Sequence, residues 1–368
     1  MKFLIEKEKL QYAIQKVQRV ISTRSPLPVL TGILFECSEG LLKLTATDME
    51  MSIMCLVPAE VSSPGNLVIP AKYISEFAKR LPNVPIEFDT IGDAKLATIR
   101  YGMSEFNING YSAADFPLLH FFKEEFSFLV SSEELKDIIR KVIYASSNDD
   151  SRPIFTGVLL EIEGQEAALV ATDTFRLAMK KFKIDVPSPS LINVVVPGKT
   201  LNEVVRVMGS NDKVRITLSK NQIMFKTEDM VIISRLITGR FPSYRQVIPD
   251  HFDCLIRSSI QELLESAERA SLLAGERNSL IVFQSQKNGI VISVRSENGW
   301  IREDIPATVE GENYDILFNV HYLCDVLRSC DGDEILVKLT GTYSPAVIAP
   351  PEEDGYLSVI VPARTSRE

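Results

Sequence analysis

The chain says nearly the same thing twice. Thr31-Gly32-Ile33-Leu34-Phe35-Glu36 leads into Ala46-Thr47-Asp48, and Thr156-Gly157-Val158-Leu159-Leu160-Glu161 leads into Ala171-Thr172-Asp173; Thr31 to Thr156 and Asp48 to Asp173 are both steps of 125. Phe116-Pro117 returns at the same step as Phe241-Pro242, and the turn Pro70-Ala71-Lys72 returns two residues late as Pro197-Gly198-Lys199. A repeat of this length constrains the fold more than any single motif, because each copy must be the same supersecondary unit. A third, divergent copy is assigned by order of pattern: a helical run from Ser259 to Ala274, a strand pair around Gly289, and Phe318-Asn319-Val320-His321-Tyr322 where the other copies have Pro-x-Lys.

Three copies in 368 residues give expected domains at 1–125, 126–250 and 251–368. Apolar stripes at three- and four-residue spacing predict two helices per copy. Leu10, Ala13, Ile14, Val17 and Val20 mark one, with Leu135, Ile138, Ile139 and Val142 and then Leu263, Leu264, Ala267 and Ala270 as its counterparts. Ile74, Phe77, Ala78 and Leu81 mark the other, matched by Leu201, Val204, Val205 and Met208 and by Leu323, Val326 and Leu327. Short runs such as 41–45, 214–218 and 289–294, set off by turn residues, read as strands. The fold class is α+β, with two helices on one face of antiparallel sheet in each copy. Edge strands of one copy are expected to pair with the next, giving continuous sheet with the helices on the other side.

The charged content of 24% and the net charge of −9 are those of a globular protein without bulk affinity for nucleic acid. Basic residues nevertheless recur on the helices: Lys9, Lys16 and Arg19, then Lys72, Lys79 and Arg80, then Arg140, Lys141, Lys199 and Arg206. They read either as a solvated face balanced by Glu6, Glu8, Glu76 and Glu203 or as a layer facing a polyanion. Five cysteines, without metal-ligand spacing, read as reduced thiols; no cofactor or metal is expected. No run is long enough to span a bilayer, and acid at the sixth residue interrupts any leader-like stretch, so a cytoplasmic location is expected.

Several strings together resemble the bacterial β sliding clamp family, the processivity subunits of replicative DNA polymerases. They are Met1-Lys2-Phe3, Leu27-Pro28-Val29-Leu30, Ala46-Thr47-Asp48-Met49-Glu50-Met51, Ala113-Ala114-Asp115-Phe116-Pro117, Gly239-Arg240-Phe241-Pro242-Ser243-Tyr244-Arg245 and Val361-Pro362-Ala363-Arg364. The resemblance implies a non-catalytic homodimer, two chains closed head to tail into a six-domain ring with helices inside. Double-stranded DNA is threaded through it without sequence preference. It implies DNA-facing residues at Arg24, Asp149, Arg152, Lys199 and Arg206. It implies a pocket for short linear peptides of the polymerase, the clamp loader and repair proteins, built from Arg152, Phe155, Thr172, Thr174, Phe175, Arg176, Leu177, Pro242 and Val247 with Asn319, Tyr322, Val361, Pro362, Ala363 and Arg364. Subunits are expected to meet through Phe106 and Ile108 on one side and Leu272 and Leu273 on the other, with Lys95 and Arg100 facing Glu297, Glu303 and Asp304. The family commonly has a small residue and often His where Thr174-Phe175 stands, so Phe175 is expected to narrow or reshape the pocket, and the tail 365–368, which extends past the usual end, is expected near its mouth.

Two other readings stay open on residues alone. A peptide-binding scaffold would use the same pocket without encircling DNA. An enzyme would use Asp48 and Asp173 as a carboxylate pair, although the chain has only three histidines, no P-loop and no nucleophile elbow; an Asp repeated after Thr also suits a turn.

Overall fold

The computed structural model describes residues 1–22, 25, 27–90, 95–117, 123–210, 212–275, 279–353 and 355–364. They form two compact units, 1–133 with 203–236, and 134–202 with 237–368. The described residues contain six α-helices: α1 (Lys7–Val17), α2 (Ala71–Arg80), α3 (Ser132–Ile143), α4 (Gly198–Val207), α5 (Ile260–Ala274) and α6 (Val320–Ser329). The helical stripes fall where expected, with one shortening. α1 ends at Val17, and Gln18–Val20 tighten into a 3-10 turn that keeps Val20 buried. The Pro-x-Lys strings are not free turns: Pro70 caps α2 and Pro197 stands just before α4, while in the third copy Asn319 caps α6 by accepting the His321 N–H at 2.9 Å. Among the described residues no helix is long and apolar enough to cross a membrane.

All described strand pairings are antiparallel. The first unit holds a five-stranded sheet in the order 60–63, 2–5, 86–90, 96–101, 104–109, and an eight-stranded sheet in the order 126–131, 213–218, 222–226, 230–235, 51–58, 41–47, 32–38, 65–70. The second unit holds ten strands: 157–172, 176–197, 356–360, 346–349, 334–339, 254–259, 299–311, 289–296, 280–286, 315–319.

Two of these pairings join successive copies, and they share one register. In the first unit Met51, Ile53 and Cys55 oppose Ser234, Ile232 and Met230; in the second Arg176, Ala178 and Lys180 oppose Ile360, Ser358 and Tyr356. Each seam gives an edge strand the hydrogen-bond partners it would otherwise lack.

The repeated strings now have physical causes. Thr31 and Thr156 close 3-10 turns by donating to the Pro28 and Pro153 carbonyls at 2.7 and 2.8 Å. The glycines after them lie under the neighbouring strand: a Cβ at Gly32 would meet Val68 Cγ1 at 2.5 Å, and one at Gly157 would meet Val195 Cγ1 at 2.5 Å. Phe116 and Phe241 are buried anchors ahead of their prolines.

The helix cations are mostly tied down. Lys9 pairs with Glu6, and Lys79 and Arg80 with Glu76. Arg19 and Arg206 both bond Glu203, a carboxylate that is almost buried. Lys141 departs furthest from a solvated basic face: it is 4% exposed, held by Asp137, Asp331 and Glu353 at 3.3, 2.8 and 2.5 Å, with Lys180 on the same Glu353 oxygen. These hydrogen bonds and charges hold its ammonium well above the ordinary lysine range, outweighing the opposing effect of burial. The knot ties α3 of the middle copy to the 331–353 stretch of the third. Lys141→Met leaves the half-buried Glu353 beside one cation instead of two. The expected loss is roughly 2 kcal/mol, below the value for a fully buried pair because Asp331 and Asp137 remain in water, and a lower urea midpoint checks it.

Candidate functional site

In the second unit, the strand hairpin and the last strand leave an apolar cavity of about 200 Å3 at one end of the seam. Four structural pieces line it. The 3-10 turn Pro153–Thr156 supplies Phe155; the turn between strands 157–172 and 176–197 supplies Thr172, Thr174, Arg176 and Leu177; the Phe241-Pro242 segment and its 3-10 turn supply Pro242, Ser243, Tyr244 and Val247; and the end of the last strand supplies Val359 and Val361. Leu177, Tyr244 and Val359 belong at the same time to a buried cluster with Leu159, Val170, Val195, Phe241 and Val347, so the pocket floor is core.

The 172–176 turn is built by local polar chemistry. Asp173 Oδ1 accepts from the Phe175 and Arg176 N–H groups at 2.9 and 3.0 Å, and the Thr172 hydroxyl donates to the Arg176 carbonyl at 2.7 Å. The first copy does the same: Asp48 Oδ1 accepts from Glu50 and Met51 at 3.0 and 2.8 Å, and Thr47 donates to the Met51 carbonyl at 2.9 Å. The two aspartates thus form turns in different units, and among the described residues no cluster of acids, histidines and cysteines is arranged to hold a metal.

Arg176 braces the wall. Its Nε reaches Asp173 Oδ2 at 3.0 Å, its Nη1 reaches Asp325 on α6 at 2.5 Å, and its guanidinium lies 4.4 Å from the Tyr322 ring centre. Burial, with the Asp173 charge behind it, pushes the Tyr322 hydroxyl up. Tyr244 is pushed up to about 12, first by burial and then by Glu161, to which its hydroxyl donates.

Eight expected pocket residues come together: Phe155, Thr172, Thr174, Arg176, Leu177, Pro242, Val247 and Val361. The others stand elsewhere. Arg152 lies 5.4 Å from the Phe155 ring centre, behind that wall. Asn319 Oδ1 caps α6, and Tyr322 stacks on Arg176 from outside the lining. Phe175 does not narrow the cavity, since it is 56% exposed and absent from the lining, while its carbonyl accepts the Val361 N–H at 2.9 Å. Pro362 is buried, Ala363 donates to the Leu317 carbonyl at 2.8 Å, and Arg364 stacks 6.0 Å from Tyr343, so these three anchor the end of the chain beside the pocket. Sequence reasoning missed Ser243, Tyr244 and Val359; the period of two along a strand, which puts Val359 on the face of Val361, was the available signal for one of them.

Of the expected DNA-facing set, Arg24 lies outside the described residues, as does the tail 365–368. Lys199 is exposed at the start of α4, and Arg206 is exposed but paired with Glu203 at 3.2 Å. Asp149 is exposed, and hydrogen bonds from the Ser151 backbone and hydroxyl hold its carboxyl below the usual range. Of the expected subunit contacts, Phe106 stacks on Phe77 at 4.2 Å, Ile108 is buried, and Leu273 packs on the third-copy core. Leu272 is 82% exposed. Arg100 is already paired with Glu87, Asp89 and Glu105, Glu303 with Arg269, and Asp304 with Arg302.

These features define a sheet-joined repeat protein with a small apolar pocket and no catalytic constellation among its described residues. Three family models match it in succession: the DNA polymerase III beta subunit N-terminal domain over residues 1–120, the central domain over 129–243 and the C-terminal domain over 245–364. The beta sliding clamps of Bacillus subtilis and Halalkalibacterium halodurans are 34% and 33% identical to the chain, each alignment covering 99% of it and 100% of the relative. The crystal structure of the Bacillus subtilis clamp superposes with a TM-score of 0.95 at 34% identity, covering 99% of both chains. A Pseudomonas aeruginosa clamp bound to griselimycin gives 0.95 at 30%, covering 99% and 100%. The chain belongs to the DNA polymerase III beta subunit family, the bacterial beta sliding clamps. That family is non-catalytic.

Asp173→Ala removes three bonds that shape the pocket wall. The expected result is a loss of roughly 2 kcal/mol, read as a lower thermal midpoint.

Proposed function

We propose that two copies of this chain close into a ring around duplex DNA, each contributing modules 1–125, 126–250 and 251–368, and that the ring tethers the replicative polymerase, the clamp loader and repair proteins through the pocket. The protein is a DNA sliding clamp and works in the cytoplasm. A threaded ring holds DNA by topology, so it needs only modest phosphate contact, and strong contact would brake sliding. That resolves the conflict between a net charge of −9 and a DNA-bound role. Lys199 and Arg206 with Arg24 and the 149–152 loop are the DNA-facing candidates.

The observation that carries this reading is a third seam left open. Strand 104–109 ends the five-stranded sheet, and 299–306 pairs with 289–296 on one side but has no described partner on the other. These are the counterparts of strands that are joined in the first two seams. Met230–Arg235 follows its hairpin as Ser104–Asn109 does, and Ala46 opposite Ile53 corresponds to Val294 opposite Ile301. If the third seam keeps the register of the first two, Glu105 of one chain would lie opposite Arg302 of the other, Phe106 opposite Ile301 and Ile108 opposite Gly299. Leu272 and Leu273 stand on α5, one helical turn beyond Arg269. A head-to-tail contact of this kind closes only if its rotation returns on itself, and two chains with three seams each give six.

Solution mass tests closure, with twice the chain mass of 41.2 kDa expected. Arg302→Glu is expected to yield monomer through like-charge opposition, and Glu105→Arg added to it is expected to restore the dimer. Loaded onto nicked circular DNA, the protein is expected to stay until the circle is cut and then to slip off the ends. Retention after linearisation would contradict threading and favour a scaffold bound at a site.

A further inference from the structure

Few of the pocket's side-chain hydroxyls are without a hydrogen-bond partner among the described residues. Among its described lining residues, Thr172 donates to the Arg176 carbonyl, the Arg176 guanidinium is bonded to Asp173 and Asp325, and Tyr244 donates to Glu161. Thr174 and Ser243 are the two whose hydroxyls have no hydrogen-bond partner among the described residues. They stand on different pieces of the wall, one on the Asp173 turn and one beside Pro242.

Thr174 is unusual for a second reason. Its φ of 83° lies in the left-handed region, which β-branched side chains avoid. The repeat provides an internal control. Met49 occupies the equivalent place, one residue past Asp48, with φ 75° and the same backbone bonds around it. A positive φ is therefore what the turn requires, and glycine would meet that requirement without steric cost. A β-branched residue at that place on a pocket wall, where glycine would serve the turn, points to use of its side chain by the pocket.

We propose that the Thr174 and Ser243 hydroxyls are the polar handles of the pocket. They hydrogen-bond the main chain of an extended peptide whose apolar side chains fill the cavity over Leu177, Val247 and Val361, and so fix the direction and register in which it lies. The inference rests on the pocket being the peptide site. An extended segment entering an apolar cleft carries N–H and C=O groups that lose water, and leaving one unpaired costs more than a made bond gains. A hydroxyl donates or accepts and so suits either group.

The test uses full-length protein and a fluorescein-labelled peptide, Ser-Leu-Ala-Leu-Phe, followed by fluorescence anisotropy. Thr174→Val keeps the shape and deletes the hydroxyl. It and Ser243→Ala are each expected to weaken binding roughly three- to tenfold, while Thr174→Ser stays near wild type. Thr174→Gly and Met49→Gly are both expected to leave the thermal midpoint unchanged or raised, but only Thr174→Gly weakens the peptide. If wild type binds and Thr174→Val and Ser243→Ala bind equally well, this inference is overturned and the pocket reading stands. If wild type does not bind, the pocket reading is overturned and this inference with it.

Discussion

The backbone groups along the edge of a β-sheet must find hydrogen-bond partners, and the rest of this structure depends on how that need is met. In the first two copies the strand after the aspartate turn meets the last strand of the next copy, Met51–Cys55 with Met230–Ser234 and Arg176–Lys180 with Tyr356–Ile360. The core clusters depend on that choice. Leu177 and Met179 can pack with Val347 and Val359 because two copies share one sheet. The pocket depends on it as well, since it lies where the second of these strand pairs ends and the turn, the Phe241-Pro242 segment and the closing residues of the chain converge.

Much of this was legible in the sequence because the repeated residues act locally. An aspartate that accepts from N–H groups two and three positions on, a threonine that closes a turn on its own proline, and a glycine beneath a neighbouring strand all leave marks a few residues long. Helices were legible from their stripes for the same reason. The misreadings involve partners distant in the chain. Lys141 sits at a helix position that periodicity leaves polar, and nothing near it announces Glu353, 212 residues away. Asn319 carries a side chain equally suited to a ligand or to a helix cap, and only the start of α6 at Val320 decides. Phe175 and Thr174 are neighbours in sequence, yet the left-handed turn puts one outside the cavity and the other on its wall.

The described side chains that might have suggested chemistry are held in ways that suppress it. Asp48 and Asp173 are engaged by backbone N–H groups, and the thiols of Cys55 and Cys330 are pushed up to about 12, chiefly by burial, far from the range in which a thiolate attacks. The surface cations of the helices are partly neutralised by acids beside them, as in the Arg19, Glu203 and Arg206 group. A protein that moves along a polyanion gains from this restraint, because each fixed counter-charge within the protein reduces the pull on phosphate.

In the middle copy the boundaries of the sequence repeat and the boundaries of packing do not coincide. Residues 134–202 pack with residues 237–368, and residues 203–236 pack with residues 1–133. The unit that repeats in the sequence is therefore not the unit in which the residues pack. Excising the middle repeat at its sequence boundaries would strip both neighbours of a sheet partner, so the three repeats are interlocked and cannot be exchanged one at a time without breaking a seam.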